Sequence, residues 1–309
     1  NVAVGTSALG ANTTGAANVA IGNSALDANT TASNNVAVGT NAATANTTGT
    51  FNVALGDRAL KSNTTSNYQT AIGYEALEDT TGGANTAIGA TTLKSVTSGD
   101  ENTAVGVSAG YGVTTGAKNV SIGNTAGGGT TGQGNVGIGW YGGSSMTTGS
   151  NNVVVGRQSQ LSAGSGSNQI VIGYLVSGTG DNNFTFGNQS TDSNIAFGAT
   201  TITAPSDIRL KEDIQDEEVG LDFVKDLRPV TFRWKKAKDV PSELKIHSDS
   251  EERIMNGKYN HGFIAQEVKQ TIDKYNLKDG FDMWSEDEAD GRQRVGDASL
   301  MPIMVKALQ

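Results

Sequence analysis

The 309-residue chain has no cysteine and only two histidines, His247 and His261. Without thiols there is no disulfide, no thiolate zinc site and no cysteine nucleophile. Two histidines cannot supply a multi-histidine metal site, so neither a metal nor a cofactor is expected. Basic residues are also in short supply: 22 Lys and Arg face 31 Asp and Glu, a net charge of −9. Nucleic-acid binding needs a basic footprint, and none is present. No apolar run approaches the ~20 residues of a membrane-spanning helix, so no membrane insertion is expected. No secretion signal is visible. The first residues, Asn1-Val2-Ala3-Val4-Gly5, already belong to a repeat, so the chain reads as a piece of a longer protein.

What is scarce differs along the chain. Residues 1–205 hold 35 of the 41 glycines, only 14 charged residues, and no proline before Pro205. Residues 206–309 hold 39 charged residues and both histidines. This step in composition sets a domain boundary at Pro205/Ser206.

The first region is a repeat. Asn1-Val-Ala-Val-Gly5, Asn18-Val-Ala-Ile-Gly22, Asn35-Val-Ala-Val-Gly39 and Asn52-Val-Ala-Leu-Gly56 align, and the glycines continue to Gly173 in steps of 16 or 17 residues. After about residue 175 the spacing loosens, through Gly187 and Gly198, giving an irregular end to 205. Apolar or Thr residues stand three and one before each Gly, with a small residue between them. That alternation predicts a strand with one buried face, made of pairs such as Val19 and Ile21. The small residue, Ala20 or Ala37, is then assigned to a second face that suits close approach of another chain. The Gly supplies a corner. An Ala-Leu pair, such as Ala25-Leu26, follows as a short strand or turn edge. Asn-Thr-Thr stretches close the coil; those at Asn12, Asn29, Asn46 and Asn63 match a glycosylation sequon but read more simply as turns. The recurrent Asn18, Asn35 and Asn52 predict an amide ladder. A 17-residue unit with so few apolar side chains folds only when stacked, which is the logic of a solenoid.

This Asn-x-Ala-Ile-Gly-x-x-Ala-Leu pattern resembles the head repeats of trimeric autotransporter adhesins and, more closely, the solenoid shafts of phage tail fibres. The resemblance implies a mainly β fold: a repetitive parallel β-solenoid, or β-roll, of three identical chains side by side.

Residues 206–309 read as a small α+β domain. Helical spacing runs over 219–227 and 264–272, strand alternation over 229–234, a charged loop over 235–256, and a further helix opens at Pro302 and is cut off at Gln309. Four motifs occur in order: Ser206-Asp-Ile-Arg-Leu-Lys211, Leu227-Arg-Pro-Val-Thr-Phe-Arg-Trp234, His261-Gly-Phe-Ile-Ala-Gln-Glu267 and Val305-Lys-Ala-Leu-Gln309. They resemble the intramolecular chaperone domain of tail spikes and fibres, the peptidase S74 family typified by phage endosialidases. That resemblance implies a homotrimeric assembly chaperone that removes itself by autoproteolysis, a single turnover by a serine peptidase with a Ser-Lys dyad. Carried onto this chain, the nucleophile is Ser206, the general base Lys211 and the scissile bond Pro205–Ser206. Asp207, His261 and Gln266 are supporting candidates.

The residues themselves leave alternatives open. A serine hydroxyl needs a base, and a lysine serves if burial lowers its pKa toward neutrality. An extended strand would hold Ser206 and Lys211 ~16 Å apart, so the dyad needs a turn between them or a lysine from a sister chain. Otherwise Ser206 is a helix N-cap and Lys211 a solvated charge. His261 orients the site or satisfies a buried hydrogen bond. Gln266 and Glu267 cap a helix, contact a sister chain or assist catalysis. Glu286-Asp-Glu-Ala-Asp-Gly291 faintly echoes a calcium loop but reads as an exposed acidic loop. In the shaft, Glu78/Asp79 and Asp100/Glu101 read as solubilising charge, and Trp140-Tyr141 as either a packing irregularity or a sugar-stacking platform. The function expected is a virion tail fibre or spike, assembled in the host cytoplasm, with a host-surface glycan or receptor as partner. A cell-surface trimeric adhesin and a non-cleaving trimerisation module are the alternatives.

Overall fold

The computed structural model describes residues 1–129, 131–189, 191–199, 201–204, 206–277, 281–287, 289–296 and 298–309. The chain forms two compact units, residues 1–207 and 208–309.

The first unit is a parallel β-solenoid of about 11 turns. One three-residue strand opens each coil: β1 Val2–Val4, β2 Val19–Ile21, β3 Val36–Val38, β4 Val53–Leu55, β5 Thr70–Ile72, β6 Thr86–Ile88, β7 Thr103–Val105, β8 Val120–Ile122, β9 Val136–Ile138 and β10 Val153–Val155, with β11 longer at Ile170–Tyr174. Each pairs in parallel with the next coil at the repeat register, for example Ala20 opposite Ala37 and Ala37 opposite Ala54.

The structure reverses the expected strand faces. The small central residues Ala20, Ala37, Ala54, Ala71, Ala87 and Ala104 are fully buried, while the flanking Val and Ile side chains point outward, half-buried or exposed. The Ala-Leu pair supplies the physical reason. It is a turn rather than a strand, and its leucine adopts a left-handed conformation, with φ of 50° at Leu26 and 55° at Leu60. Leu26, Leu60, Leu77 and Leu93 are thereby driven into the interior opposite the strand alanines. Once those leucines fill so thin a coil, only a methyl fits on the facing strand.

The corner glycine is required twice over. At Gly56, φ is +137°, and an added Cβ would stand 2.4 Å from the carbonyl oxygen of Gly73 in the next coil.

The amide ladder exists and is stronger than side chain to side chain contact alone. Asn35 Oδ1 accepts the backbone N–H of Asn52 at 2.9 Å, and Asn52 Oδ1 accepts that of Gln69 at 2.9 Å. Meanwhile Asn52 Nδ2 donates to the carbonyl of Ser66 at 2.9 Å. Gln69 and Gln169 serve in this column where the repeat has lost its asparagine. A second ladder joins the asparagines of the Asn-Thr-Thr stretches: Asn29 Nδ2 donates to Asn12 Oδ1 at 2.8 Å, and Asn63 Nδ2 to Asn46 Oδ1 at 3.1 Å. Asn29, Asn46 and Asn63 are buried, which is the environment of a turn-former and not of a glycosylated side chain.

Glu78 departs from the solubilising role expected of it, and Glu75 shares its site. Both are buried in a network with Arg58, Lys61 and Lys94, with Arg58 to Glu75 at 2.8 Å and Lys94 to Glu78 at 3.3 Å. The hydrogen bond from Lys94, followed by that from Tyr74, holds Glu75 below its ordinary range.

Parallel stacking ends at a hairpin. β12 (Asn183–Asn188) continues the parallel ladder, and β13 (Thr191–Ala196) folds back antiparallel on it.

Among the described residues the second unit holds three α-helices and two small sheets. α1 (Leu221–Asp226), β14 (Val230–Phe232), α2 (Ala265–Lys274) and α3 (Leu300–Leu308) correspond to the elements read from the sequence, and β15 (Asn260–Gly262) forms where the sequence reading assigned none. The antiparallel pair β16 (Trp284–Glu286) and β17 (Gln293–Val295) was not foreseen. Phe223 of α1 is the centre of the core, fully buried between Tyr275 at 5.3 Å and Phe281 at 5.8 Å. Val268 and Ile272 of α2, Met283, and Leu300 and Ile303 of α3 close around it.

Candidate functional site

Ser206 and Asp207 are the last residues of the first unit, Ser206 exposed and Asp207 half-buried. Pro205, the other half of the expected scissile bond, lies outside the described residues. The second unit starts with a 3₁₀ turn, Ile208–Leu210, and the N–H of Lys211 donates to the carbonyl of Ile208 at 3.1 Å. The segment carrying Lys211 is therefore coiled, not extended. Lys211 is exposed.

The other two candidates sit further along the second unit. His261 is at the centre of β15, opposite Thr231 of β14. Its side chain is exposed, so the buried hydrogen bond considered for it is not what holds it. With Pro229, Phe232, Gly262, Phe263 and Val295 it lines an open, largely apolar cavity of about 580 Å³. Gln266 is exposed in the first turn of α2. Its neighbour Glu267 is committed elsewhere: Arg228 grips it through two hydrogen bonds, Nε to Oε2 at 3.0 Å and Nη2 to Oε1. That hydrogen bonding holds the Glu267 carboxyl below its ordinary range. Arg228 and Glu267 belong to two of the four motif strings, Leu227 to Trp234 and His261 to Glu267. The pair therefore ties the strand-entry loop to α2, a tertiary role for motif residues that spacing alone did not reveal. Asp226 does the same for α1, accepting from Tyr275 Oη at 2.8 Å and Lys274 Nζ at 2.5 Å.

The acidic segment 286–291 is not simply an exposed loop. Asp287 is bound by Arg294 at 2.6 Å, and Asp290, whose side chain is 1% exposed, by Arg292 at 2.9 Å and by the N–H of Lys245 at 3.2 Å. Glu288 and Asp297 lie outside the described residues. Among the described residues no group of three or more His, Asp or Glu is placed to hold a metal ion, and no helix is long and apolar enough to cross a membrane.

The fold is thus a repetitive solenoid followed by a small mixed α+β unit, with a Ser-Asp-x-Arg-x-Lys string at the junction. Residues 206–277 match the peptidase S74 family model, described as the chaperone of endosialidase. The chain thus carries a chaperone-of-endosialidase domain behind a β-solenoid of about 11 turns. The match starts at Ser206 and takes in three of the four motifs; Val305–Gln309 lies beyond it. Neither the curated proteins nor the solved structures contain a match to the chain.

Proposed function

We propose that the chain belongs to a homotrimeric tail fibre or spike of a phage, resident in the virion tail after assembly in the host cytoplasm. Its C-terminal domain acts as assembly chaperone and then releases itself by cutting Pro205–Ser206. The observation that carries this reading is the family match beginning at Ser206, the first residue of the Ser206-to-Lys211 string.

In the proposed chemistry, Lys211 Nζ accepts the proton of Ser206 Oγ as that oxygen attacks the carbonyl carbon of Pro205. The C–N bond breaks with the proton delivered to the Ser206 nitrogen, leaving an ester on Ser206 Oγ. Water hydrolyses the ester to a free carboxylate at Pro205. The 3₁₀ turn over Ile208–Leu210 supports this role, because it makes the segment before Lys211 shorter than an extended strand would be. Ser206 and Lys211 are both exposed in the single chain, and trimer assembly is the step that encloses them and so gates cleavage.

The outward Val and Ile rows of the shaft support side-by-side chains. Ile21, Ile88, Val105, Ile122 and Ile172 repeat along one face, each about two-fifths exposed. A continuous exposed apolar row of this kind marks an interface. The contact surface is thus the β-branched rows, in place of the small residues that the sequence had assigned to it. Near-identical coils specify register weakly, and three-chain assembly is non-local and exposed to aggregation. A domain that trimerises first sets the register, and its removal afterwards takes the nucleus out of the unfolding route, which adds kinetic stability.

Intact mass of the purified protein, beside Ser206→Ala and Lys211→Ala, tests the reading. Cleavage between Pro205 and Ser206 in the parent, and intact chains in both variants, is the expected result. A folded trimer that stays whole, or a Lys211→Ala chain that still cuts, overturns the dyad.

A further inference from the structure

Just past the corner glycines Gly139, Gly156 and Gly173, three consecutive coils present Trp140, Arg157 and Tyr174. Equivalent positions in stacked coils fall in one column, at steps of roughly 4.8 Å. The guanidinium carbon of Arg157 lies 4.7 Å from the Trp140 ring centre and 5.4 Å from that of Tyr174. The cation is thus flanked by two π-systems. Tyr141 meets Trp140 edge-on at 4.9 Å and 87°, which steadies the indole. All of them are exposed, Trp140 by 43%. The fold does not demand them, because the same position holds Thr6, Asn23, Thr40 and Asn124 in other coils.

Arg157 also differs from most shaft cations. Arg58, Lys61 and Lys94 are each neutralised by Glu75 or Glu78. Among the described residues Arg157 has no carboxylate partner. With rings on either side, the chemistry left to its guanidinium is the planar N–H edge, which matches a carboxylate bidentately.

We propose that this column is a binding site for an acidic polysaccharide laid along the solenoid axis. Arg157 takes a sugar carboxylate, and the neighbouring sugar rings rest against Trp140 and Tyr174. A polymer of carboxylated sugars fits the line of ring, cation and ring better than the alternatives. A small anion would use only the cation, and a neutral glycan would leave it unpaired. The inference concerns the shaft surface and does not depend on self-processing.

The test is calorimetric titration of the full chain with an oligomer of galacturonic acid and with the same oligomer fully methyl-esterified. The acid form should bind, and the ester at least about tenfold more weakly, as loss of a charge-assisted pair implies. Arg157→Gln should weaken binding of the acid form by about tenfold or more, with Arg157→Lys in between because it keeps the charge and loses the fork. Trp140→Ala and Tyr174→Ala should each weaken it, and Lys118→Gln, a remote shaft cation, should not. Light scattering on every variant should give the parent mass. No binding of the acid form, equal binding of acid and ester, or unchanged binding by Arg157→Gln overturns the proposal. So does a changed mass for Arg157→Gln, which would make the column a contact between subunits.

Discussion

The two units of this chain solve the problem of burying few apolar residues in opposite ways. The shaft has almost no large side chains inside. Alanines and one leucine per typical coil make its core, and uncharged amide ladders satisfy the backbone at the turns. The C-terminal domain has one aromatic-centred core around Phe223 and surrounds it with charged pairs: Arg228–Glu267, Lys274–Asp226, Lys236–Glu251 and Arg294–Asp287. The shaft is therefore locally repetitive and indifferent to which coil meets which. The domain is built from particular contacts that occur once. The assembly role proposed for the domain rests on this difference, since contacts that occur once can set an alignment that repeated coils leave open.

The largest effect should come from separating the two. Expressed without residues 206–309, the shaft should aggregate, whereas the full chain yields a discrete oligomer; light scattering on the two proteins decides it. An ordered oligomer from the shaft alone would show that its coils set their own register.

A smaller, local contrast comes from single substitutions. Asn52→Leu leaves the N–H of Gln69 buried without its partner, at about 1–3 kcal/mol, while the Ser66 carbonyl keeps its bond from Asn63 Nδ2. Arg228→Ala in the domain removes an exposed ion pair and should cost clearly less. Denaturant titration of each variant compares them, and equal losses would erase the distinction between ladder and surface pair.

The smallest effect is acid sensitivity. Asp226, Glu251, Glu267 and Asp287 are each held below the carboxylate range, chiefly by hydrogen bonds from Lys274, Lys236, Arg228 and Arg294 respectively. A lowered folded pKa contributes stability that is present above the unfolded value and lost as pH falls through the folded one. Below about pH 4 the domain, with four such carboxylates in about a hundred residues, should lose more of its thermal stability than the shaft, where Glu75 and Asp181 are held low in the same way but the repeated turns are held by amides that do not titrate. Circular dichroism, following the helical signal for the domain and the β signal for the shaft, measures both in one sample.

Much of this architecture was readable in one dimension. Gly56, Gly73 and Gly89 announce the corners because no residue with a Cβ can stand there. The period-2 strands and the asparagine columns follow from the same spacing. The ordered strings from Ser206 to Lys211 and from His261 to Glu267 pointed to the chaperone domain. Less readable was what individual motif residues touch. Arg228 and Glu267 are 39 residues apart in the chain and meet only because α2 packs beside the end of α1. Glu75 and Glu78 look like surface charge until Arg58 and Lys94 arrive from neighbouring coils.

The sequence by itself determined that the first 200 or so residues form a stacked β-solenoid and that a distinct charged domain follows. Repeat length, glycine position and composition are properties of the chain and need no partner to be read. Only the tertiary structure decided which face of each strand is inside. An alternating pattern is symmetrical between its two faces, and hydrophobicity alone favoured burying Val19 and Ile21. The choice fell to Ala20 because Leu26, turned inward by its left-handed backbone, fills the narrow coil and leaves room for nothing larger than a methyl group on the opposite strand.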